Sequence, residues 1–357
     1  MTRPTISVLL PVFNGSRYLA QSITSILAQR FTDFECIIVN DGSSDDSEAI
    51  IRSFNDERII LINQTNAGLP VSLNRAIRAA RGRYLARQDA DDISLPERFL
   101  EQVAFLDAHP HCVLLGTQAQ IIEGEHLSAR LLAHPTLNGE LQLKLLFYNC
   151  FVHSSVMLRA SALEKTGLYS ENPAHFPPED YELWLRLKNV GTLANLPKPL
   201  LQYREVPSSI SRTQLVLMQG RAQAMSLDAI RALLEVHAPQ PLLAELLIAV
   251  MSSQVLAEPI STAQNKTLKQ LLVTITQRLL ERLPQDQAVQ DQTAQDQGAQ
   301  NQGAQDEVHL LQAQSDCEQL LQRAQQRAGL LALLKLLPVD VVPFLKKIKR
   351  ALKGDSH

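Results

Sequence analysis

Strand and helix patterns alternate with little ambiguity through about the first 125 residues, and this alternation most constrains the fold. Continuous apolar runs, typical of strands buried on both faces, are followed by segments whose apolar residues recur at helical spacing. The predicted strands are 6–12, 35–40, 58–64, 84–88 and 112–117, and the predicted helices between them are 16–29, 45–54 and 69–81. Such alternation predicts an α/β fold with a mostly parallel sheet and helices on both faces.

A fourth helix in this half is expected to begin with a capping box. Ser94 is followed three residues later by Glu97, and Pro96 stands in the first turn. Because a serine hydroxyl and a glutamate carboxylate can satisfy the free amides of a helix start, the helix is predicted to open here and to end near Pro110.

Beyond this half the chain divides by composition. Shorter strand patterns at 155–158 and 200–203 flank a helical pattern at 179–189, which places the α/β domain at 1–212. The later segments are predicted to be a helical region at 213–283, a Gln/Asp-rich pentapeptide-repeat linker at 284–307, and a helical tail with a basic amphipathic end at 308–357. Five residues is neither a helical nor a strand period, and the repeat has almost no large apolar side chain, so we expect it to be solvated.

Composition argues against several classes of protein. The net charge of −3 disfavours a general nucleic-acid-binding protein. The four cysteines lie far apart and form no Cys-x-x-Cys pair, so we expect buried, reduced cysteines and no zinc site. No secretory signal precedes the first strand, and no stretch has the roughly 18 apolar residues of a membrane-spanning helix, so a cytoplasmic protein is expected.

The C-terminal end qualifies that location. Between 343 and 353, apolar side chains fall on one helical face and five Lys and Arg residues surround them. A basic amphipathic helix of this kind can lie on an anionic membrane surface. This gives the hypothesis of a peripheral contact with the inner face of the membrane, and an ordinary solvated helix is the alternative.

Acidic residues stand where two of the predicted parallel strands end. Asp41 closes the second strand, and Asp89, Asp91 and Asp92 close the fourth. In open α/β sheets the ligand crevice lies at these strand ends. Three carboxylates within four residues repel each other unless a cation lies among them, and Mg²⁺ or Mn²⁺ suits such oxygen ligands and also binds phosphates. A solvated turn is the alternative, since Asp is common in turns.

Two common phosphate-binding motifs are absent from the sequence. It has no Gly-x-x-x-x-Gly-Lys-Ser/Thr, and no Gly-x-Gly-x-x-Gly follows the first strand. P-loop nucleotidases and dinucleotide dehydrogenases are therefore disfavoured. Any bound phosphates would be held by a metal ion in place of a glycine-rich loop.

Several ordered motifs together resemble the family 2 glycosyltransferases, which have the GT-A fold. They are SVLLPVFN at 7–14, IVNDGSSD at 38–45, NAGL at 66–69, SLN at 72–74 and DADD at 89–92. The resemblance covers residue 5 to about residue 212. It implies a Rossmann-like nucleotide-diphospho-sugar transferase domain with a mostly parallel mixed sheet, followed by an α-helical C-terminal region, and a sugar donor of the UDP or dTDP type.

The resemblance also implies roles for individual residues. Asp41 would accept a hydrogen bond from a uracil-type base, Asp89 would contact the ribose, and Asp91 would bind the Mn²⁺ or Mg²⁺ that bridges the diphosphate. Asp92 is a further candidate ligand. The nucleotide-sugar-binding positions would be Pro11, Phe13, Asp41 and Asp89.

PEDYELWLR at 178–186 resembles the Glu-Asp motif of the same family. The resemblance implies that Asp180 is the catalytic general base. A carboxylate opposite the leaving diphosphate would activate the acceptor hydroxyl, and a single displacement would invert the anomeric centre. The alternative is that Glu179 and Asp180 only stabilise a helix N-terminus.

Other positions are ambiguous. His153 resembles a family position near the acceptor but is about equally expected as a structural residue. Arg87 could steer a diphosphate or pair with an acid. Tyr203 and Arg204 resemble the family's closing Tyr-Arg-x-His segment, but Val206 stands in place of the histidine. That departure weakens a role for this segment in ligand binding.

Two other functions are weighed against glycosyl transfer to a glycan, lipid-linked or other acceptor. A nucleotidyltransferase that makes nucleotide sugars shares the α/β layout but needs a glycine-rich basic loop after its first strand, and NGSR at 14–17 offers too little of one. A non-catalytic nucleotide-sugar-binding module is disfavoured by the intact acids at 41, 89, 91 and 180.

Overall fold

The computed structural model describes residues 3–206, 209–234, 247–248, 251, 262–282, 304–319 and 321–322. Within them, nine strands form one sheet in the order β3-β2-β1-β4-β8-β6-β9-β5, with β7 paired to β6. The strands are β1 (Ile6–Val12), β2 (Phe34–Asp41), β3 (Ile59–Gln64), β4 (Tyr84–Arg87), β5 (Ile93–Ser94), β6 (Cys112–Glu123), β7 (His126–Leu132), β8 (Met157–Arg159) and β9 (Thr192–Glu205).

Helices connect these strands and continue after the last one. They are α1 (Ser16–Leu27), α2 (Ser47–Ser53), α3 (Leu69–Ala79), α4 (Arg98–Ala108), α5 (Asn138–Lys144), α6 (Ala160–Thr166), α7 (Glu179–Leu187), α8 (Ile210–Thr213), α9 (Leu215–Leu234) and α10 (Thr262–Arg282). Residues 304–319 are also helical, and 3-10 turns cover His153–Ser155 and Pro173–His175. The predicted α/β layout of the first half is confirmed.

The sheet is mixed, and its parallel part comes first in the chain. β1 lies between β2 and β4, and β2 pairs with β3, all in parallel. β8 then inserts antiparallel between β4 and β6, while β6 and β9 are parallel. Because β8 is antiparallel to both of its neighbours, it needs no crossover helix of the kind that joins parallel strands, and the strict alternation ends here.

Apolar side chains of the central strands alternate between two cores, one on each face of the sheet. From β1, Leu9 packs with Leu73 of α3, whereas Val8 and Leu10 pack with Leu19 of α1. Because helices cover both faces, neighbouring strand residues are all buried. This explains the continuous apolar runs of the sequence.

The predicted capping box at Ser94 is wrong. α4 begins at Arg98, and Glu97 precedes it with no side-chain cap hydrogen bond. Ser94 lies in β5, and its hydroxyl donates to Gln88 Oε1 at 2.8 Å. Because Ser94 pairs with β9 and its hydroxyl is already used by Gln88, it is not available to cap a helix.

A third core joins the α/β domain to the helical region. Side chains of α5 and the following turn pack with buried side chains of α9, α10 and the helical residues 304–319: Leu143, Leu146, Phe147, Ile230, Leu233, Leu268, Leu272, Ile275, Leu310 and Ala313. None of the helices in the described residues is long and apolar enough to cross a membrane.

The predicted linker at 284–307 needs a correction at its end, because residues 304–307 are already helical. Asp306 is buried there, and Asn138 Nδ2 donates to its Oδ2 at 2.8 Å. This tertiary contact outweighs the polar composition of the segment. The rest of the repeat, the tail beyond residue 322 and the basic segment at 343–353 lie outside the described residues.

Candidate active site

A cavity of about 940 Å³ opens where β1, β2 and β4 end. Parallel strands end at one edge of a sheet, so the side chains that follow them converge there. Asp180 reaches the cavity from the first turn of α7. All the predicted catalytic, nucleotide-sugar-binding and metal-binding residues line this cavity: Pro11, Phe13, Asp41, Asp89, Asp91 and Asp180.

Asp41 is the last residue of β2 and is 3% exposed. Its Oδ1 accepts from Gln64 Nε2 at 2.6 Å and from the Ala67 amide at 2.8 Å, and its Oδ2 accepts from the Gly68 amide at 2.9 Å. An ionised carboxylate has about four acceptor positions, so these three donors fix the group and leave about one position free. Phe13 lies in the same cavity with a side chain that is 54% exposed.

Arg87 pairs with the first acid of the turn after β4. Its Nη2 lies 2.6 Å from Asp89 Oδ1, and the Arg87 side chain is only 1% exposed. The Asp89 amide donates to Ser154 Oγ at 2.9 Å, which fixes the turn against the antiparallel half of the sheet. Of the two roles considered for Arg87, pairing with an acid is the one that the structure shows.

Asp91 and Asp92 face different environments. Asp91 lines the cavity, and burial followed by the nearby Asp89 charge raises its pKa to about 6. Asp92 is fully buried and is not among the cavity-lining residues, and its Oδ1 accepts from the Arg204 amide at 2.8 Å. Burial and the charges of Asp89 and Asp91 raise its pKa well above the usual range. The turn therefore presents Asp91, and not Asp92, to the cavity.

Arg204 supports this acidic turn. Its Nε donates to the Asp91 carbonyl oxygen at 3.0 Å, and its guanidinium lies 4.1 Å from the centre of the Tyr18 ring. Its Nη1 also donates to the Gly124 carbonyl oxygen at 2.8 Å. The Tyr-Arg segment at 203–204 thus holds the backbone of the turn.

Two neighbouring carboxyl groups lie at the start of α7. Asp180 accepts from Asn149 Nδ2 at 2.7 Å and from the Tyr181 amide at 2.7 Å. Burial raises the pKa of Asp180, while the Asn149 hydrogen bond lowers it. Glu179 also lines the cavity, and burial followed by the Asp180 charge raises its pKa to about 8.

His153 contacts the same group of residues. Its Nδ1 lies 3.6 Å from Glu179 Oε1, and its Nε2 lies 2.9 Å from the Tyr169 hydroxyl oxygen. Burial, followed by the Arg87 charge, lowers the pKa of His153 well below the usual range, so the imidazole is neutral near pH 7. Sequence reasoning missed Asn149 and Tyr169, because neither stands in a recognisable motif.

The chemistry of the cavity acids suits a divalent cation that is held jointly by protein and phosphate oxygens. In the part of the chain that the structure describes, no three His, Cys, Asp or Glu side chains form a metal site by themselves. Mg²⁺ is commonly held by one or two protein carboxylates together with substrate phosphates and water. Asp91, which lines the cavity beside the like charge of Asp89, is a suitable carboxylate for such an ion.

Comparison with known proteins identifies the family. Residues 7–167 match the family model described as glycosyl transferase family 2. The putative glycosyltransferase EpsE of Bacillus subtilis is 35% identical over 215 residues, which are 58% of this chain and 76% of EpsE. The O-antigen biosynthesis glycosyltransferase WbnJ of Escherichia coli is 31% identical over 216 residues, which are 59% of this chain and 83% of WbnJ.

A third relative is matched over a smaller share of its own length. An uncharacterized glycosyltransferase of Haemophilus influenzae is 30% identical over 212 residues, which are 56% of this chain and 65% of that protein. Together these matches place the protein among the transferases. This chain belongs to glycosyl transferase family 2.

Solved structures share the fold. The crystal structure of Staphylococcus aureus TarS 1–349 in complex with UDP-GlcNAc has a TM-score of 0.54 at 16% identity, with 90% of this chain and 92% of that chain covered. The mannosyltransferase PcManGT of Pyrobaculum calidifontis, in complex with GDP-Man and Mn²⁺, has a TM-score of 0.50 at 14% identity, with 92% and 88% covered. The GT-A fold that the sequence resemblance implied is confirmed.

Proposed function

We propose that this chain is a metal-dependent, inverting glycosyltransferase that transfers a sugar from a UDP- or dTDP-type donor to an acceptor hydroxyl. The observation that carries the proposal is the single cavity lined by acids from three elements: Asp41 at the end of β2, Asp91 after β4 and Asp180 at the start of α7. A donor and an acceptor can meet only where their binding groups share one space.

The donor end of the cavity suits a uracil or thymine nucleotide. The acceptor position that remains on the Asp41 carboxylate can take the ring N–H that both bases carry. The exposed ring of Phe13 offers a surface for stacking beside it. Asp89 would contact the ribose. The structures of TarS with UDP-GlcNAc and of PcManGT with GDP-Man support a nucleotide-sugar donor.

Asp91 would hold Mn²⁺ or Mg²⁺ against the donor diphosphate. When bound, such an ion stabilises the negative charge that develops on the departing diphosphate. A cation would also relieve the repulsion between Asp91 and Asp89. The Mn²⁺ in PcManGT supports a divalent metal.

Asp180 would take the proton of the acceptor hydroxyl as that oxygen attacks the sugar. The attack and the departure of the diphosphate occur on opposite faces of the anomeric carbon, so the configuration is inverted. Burial, followed by the Asp180 charge, raises the pKa of Glu179 to about 8, so Glu179 is mostly protonated near neutral pH and adds no second negative charge beside Asp180. The neighbouring Asp180 carboxylate is then left ionised to act as the base.

The acceptor is proposed to be a growing cell-surface polysaccharide or its lipid-linked precursor. WbnJ is described as an O-antigen biosynthesis glycosyltransferase, and the chain covers 83% of its length. No nucleic acid takes part, in keeping with the net charge of −3.

The test is incubation of the chain with a panel of nucleotide sugars and Mn²⁺, with measurement of nucleoside diphosphate release. Release by the wild type supports the proposal. Consumption of added pyrophosphate would indicate a nucleotidyltransferase. Tight donor binding without turnover would indicate a binding module.

Two variants separate the proposed roles. Asp91→Asn should abolish Mn²⁺-dependent donor binding. Asp180→Asn should keep donor binding and lower transfer by about 10²- to 10⁴-fold, the usual contribution of a general base. Asp228→Asn, at an exposed carboxylate of α9, is the matched control. Near-normal transfer by Asp180→Asn would show that Asp180 is not the base.

A further inference from the structure

The helices that follow the transferase domain pack against the segment that leads into the cavity. Leu146 and Phe147, in the turn after α5, are buried with Ile230 of α9 and Leu268 of α10. Asn149, two residues after Phe147, lines the cavity. The placement of Asn149 therefore depends on a core that the helical region completes.

A buried hydrogen-bonded junction connects the same helices to α7. The Tyr181 hydroxyl donates to the Leu145 carbonyl oxygen at 2.8 Å, and it lies 2.8 Å from Ser226 Oγ of α9. A phenol has one proton, so the Ser226 hydroxyl donates to the Tyr181 oxygen. All three groups are buried, which makes each of these hydrogen bonds costly to lose.

The hydrogen-bonded junction and the turn after α5 each supply a donor to the Asp180 carboxylate. Tyr181 directly follows Asp180, and its amide donates to Asp180 Oδ1 at 2.7 Å. From the other side, Asn149 Nδ2 donates to Asp180 Oδ2 at 2.7 Å. The Phe151 amide donates to Asn149 Oδ1 at 3.2 Å, which fixes the orientation of the Asn149 amide and points its NH₂ group at Asp180.

The sheet also makes a hydrogen bond to this turn. Asn195 of β9 donates through Nδ2 to the Cys150 carbonyl oxygen at 3.0 Å. The turn that carries Asn149 is thus held by β9 on one side and by α7 and α9 on the other. Positional freedom of Asn149 is small, which is what a group that orients a reacting carboxylate requires.

We propose that the helical region is part of the catalytic unit, and that Asn149 and Tyr181 are the positioning residues through which it fixes the carboxylate of Asp180. The inference rests on the proposed function, since it concerns the base of that reaction. An acceptor hydroxyl must meet the base at hydrogen-bond distance and in the right direction, so a small displacement of Asp180 slows transfer without weakening donor binding.

The test compares Asn149→Ala and Tyr181→Phe in the full chain, using the donor that the nucleotide-sugar panel selects and nucleoside diphosphate release as the signal. Asn149→Ala should lower kcat about tenfold or more, since it removes a hydrogen bond to a charged group, and leave the donor KM within about twofold. Tyr181→Phe should lower kcat by about threefold to tenfold, because the two direct hydrogen bonds to Asp180 remain.

The pH profile separates positioning from a general structural effect. Without the Asn149 donor, the ionised form of Asp180 is less favoured, so the acidic limb of kcat should move to higher pH. The other titratable or charged groups near Asp180 and its neighbour Glu179 are unchanged in this variant: Glu179, Arg87, Tyr169, His153 and Asp89. Tyr181→Phe should lower kcat with no shift of that limb.

Ser226→Ala examines the helical region itself, because alanine is well tolerated in a helix and only the hydroxyl on α9 is lost. It should lower kcat by about twofold to fivefold in protein that remains folded at the assay temperature, although the loss of a buried hydrogen bond lowers its midpoint of thermal unfolding. Asn189→Ala is the matched control. This exposed asparagine donates to the Leu185 carbonyl oxygen, at the far end of α7, and its loss should leave kcat unchanged.

Wild-type kcat and an unshifted acidic limb in folded Asn149→Ala, together with wild-type kcat in Ser226→Ala, would overturn this inference and leave the proposed function intact. A loss of kcat that only follows the loss of folded protein would also overturn it. Absence of nucleoside diphosphate release by the wild type with every donor would instead overturn the proposed function, and this inference with it.

Discussion

The acids around the cavity carry the same functional group but have different neighbours, and the neighbours decide their chemistry. Asp41 is fixed by three N–H donors, whereas Asp92 is enclosed and has a strongly raised pKa because of burial. Asp91 lies between these extremes, with a pKa raised to about 6 by burial and by Asp89. The roles proposed for these acids, in binding the nucleotide base, supporting the turn and binding the metal, follow from these different environments.

Glu179 gives a testable pH dependence of stability. Burial, followed by the Asp180 charge, raises its pKa from the ordinary 4.5 to about 8, so between these pH values the folded state binds one proton more than the unfolded chain. The free energy of unfolding should therefore fall as pH rises from about 5 to 8. Glu179→Gln lacks this titration and should gain at least about 1 kcal/mol relative to the wild type between pH 5 and pH 8.

Urea unfolding at the two pH values measures this difference. Glu164→Gln, at an exposed glutamate of α6, is the control and should follow the wild type at both. A wild-type profile parallel to that of Glu179→Gln would mean that Glu179 is ionised throughout this range.

At the level of single residues, the ordered motifs and the family resemblance predicted the acids that line the cavity, but not Asn149 and Tyr169, which lie beside them. Asp41, Asp91 and Asp180 stand in motifs with a fixed order. Asn149 lies 31 residues before Asp180 in the chain and is brought to it only by tertiary packing. Asp91 and Asp92 are neighbours with the same side chain, so only the backbone direction of the turn could show which one faces the cavity.

At the level of elements, the predicted strands and helices of the parallel half match those of the structure to within a few residues, because the strands are continuous apolar runs and the helices repeat apolar residues at helical spacing. The start of α4 was not predictable in this way. Arg98 is fully buried at that point and donates to the Arg87 carbonyl oxygen at 2.8 Å and to Gln88 Oε1 at 3.0 Å. This buried polar network behind the acidic turn leaves no local pattern in the sequence.

The helical residues 304–319 can pack closely on α5 because Gly139 has no side chain. A Cβ atom at Gly139 would collide with the Asp306 carbonyl oxygen and approach the Leu310 amide nitrogen to 2.8 Å. Gly139→Ala should therefore lower the free energy of unfolding by about 1–3 kcal/mol through overpacking. Chemical denaturation measures the effect.

Gly220→Ala is the matched control, since nothing lies within 4 Å of the added Cβ in α9. It should raise the free energy of unfolding by about 0.4–1 kcal/mol, because alanine restricts the unfolded chain and favours helix. Equal effects of the two substitutions would mean that 304–319 does not dock on α5 in solution.

At the level of the whole molecule, the helical region is tied to the transferase domain by a shared core and by Tyr181, Ser226 and the Asn138–Asp306 contact. Composition predicted that helices follow residue 212, but it gave no sign of where they pack. Packing partners at such sequence distances are set by tertiary contacts, and the linker boundary was misplaced for the same reason.

The basic segment at 343–353 leads to a separate prediction for the intact chain. If its apolar face lies on an anionic bilayer, the full chain should float with vesicles rich in anionic lipid, and a chain that ends at residue 338 should not. Raising the salt concentration to about 0.5 M should weaken flotation, because screening reduces the attraction of the five basic residues. Equal flotation of the two chains would end the membrane hypothesis.

In the proposed function, the acids at the ends of β2 and β4 hold a nucleotide and its metal in one cavity. The most direct measurement is anomalous difference density from crystals of the chain soaked with UDP and Mn²⁺. We expect a manganese peak between the Asp91 carboxylate and the UDP diphosphate, with the uracil ring beside Asp41 and Phe13. A manganese peak away from Asp91, or a nucleotide bound outside this cavity, would contradict it.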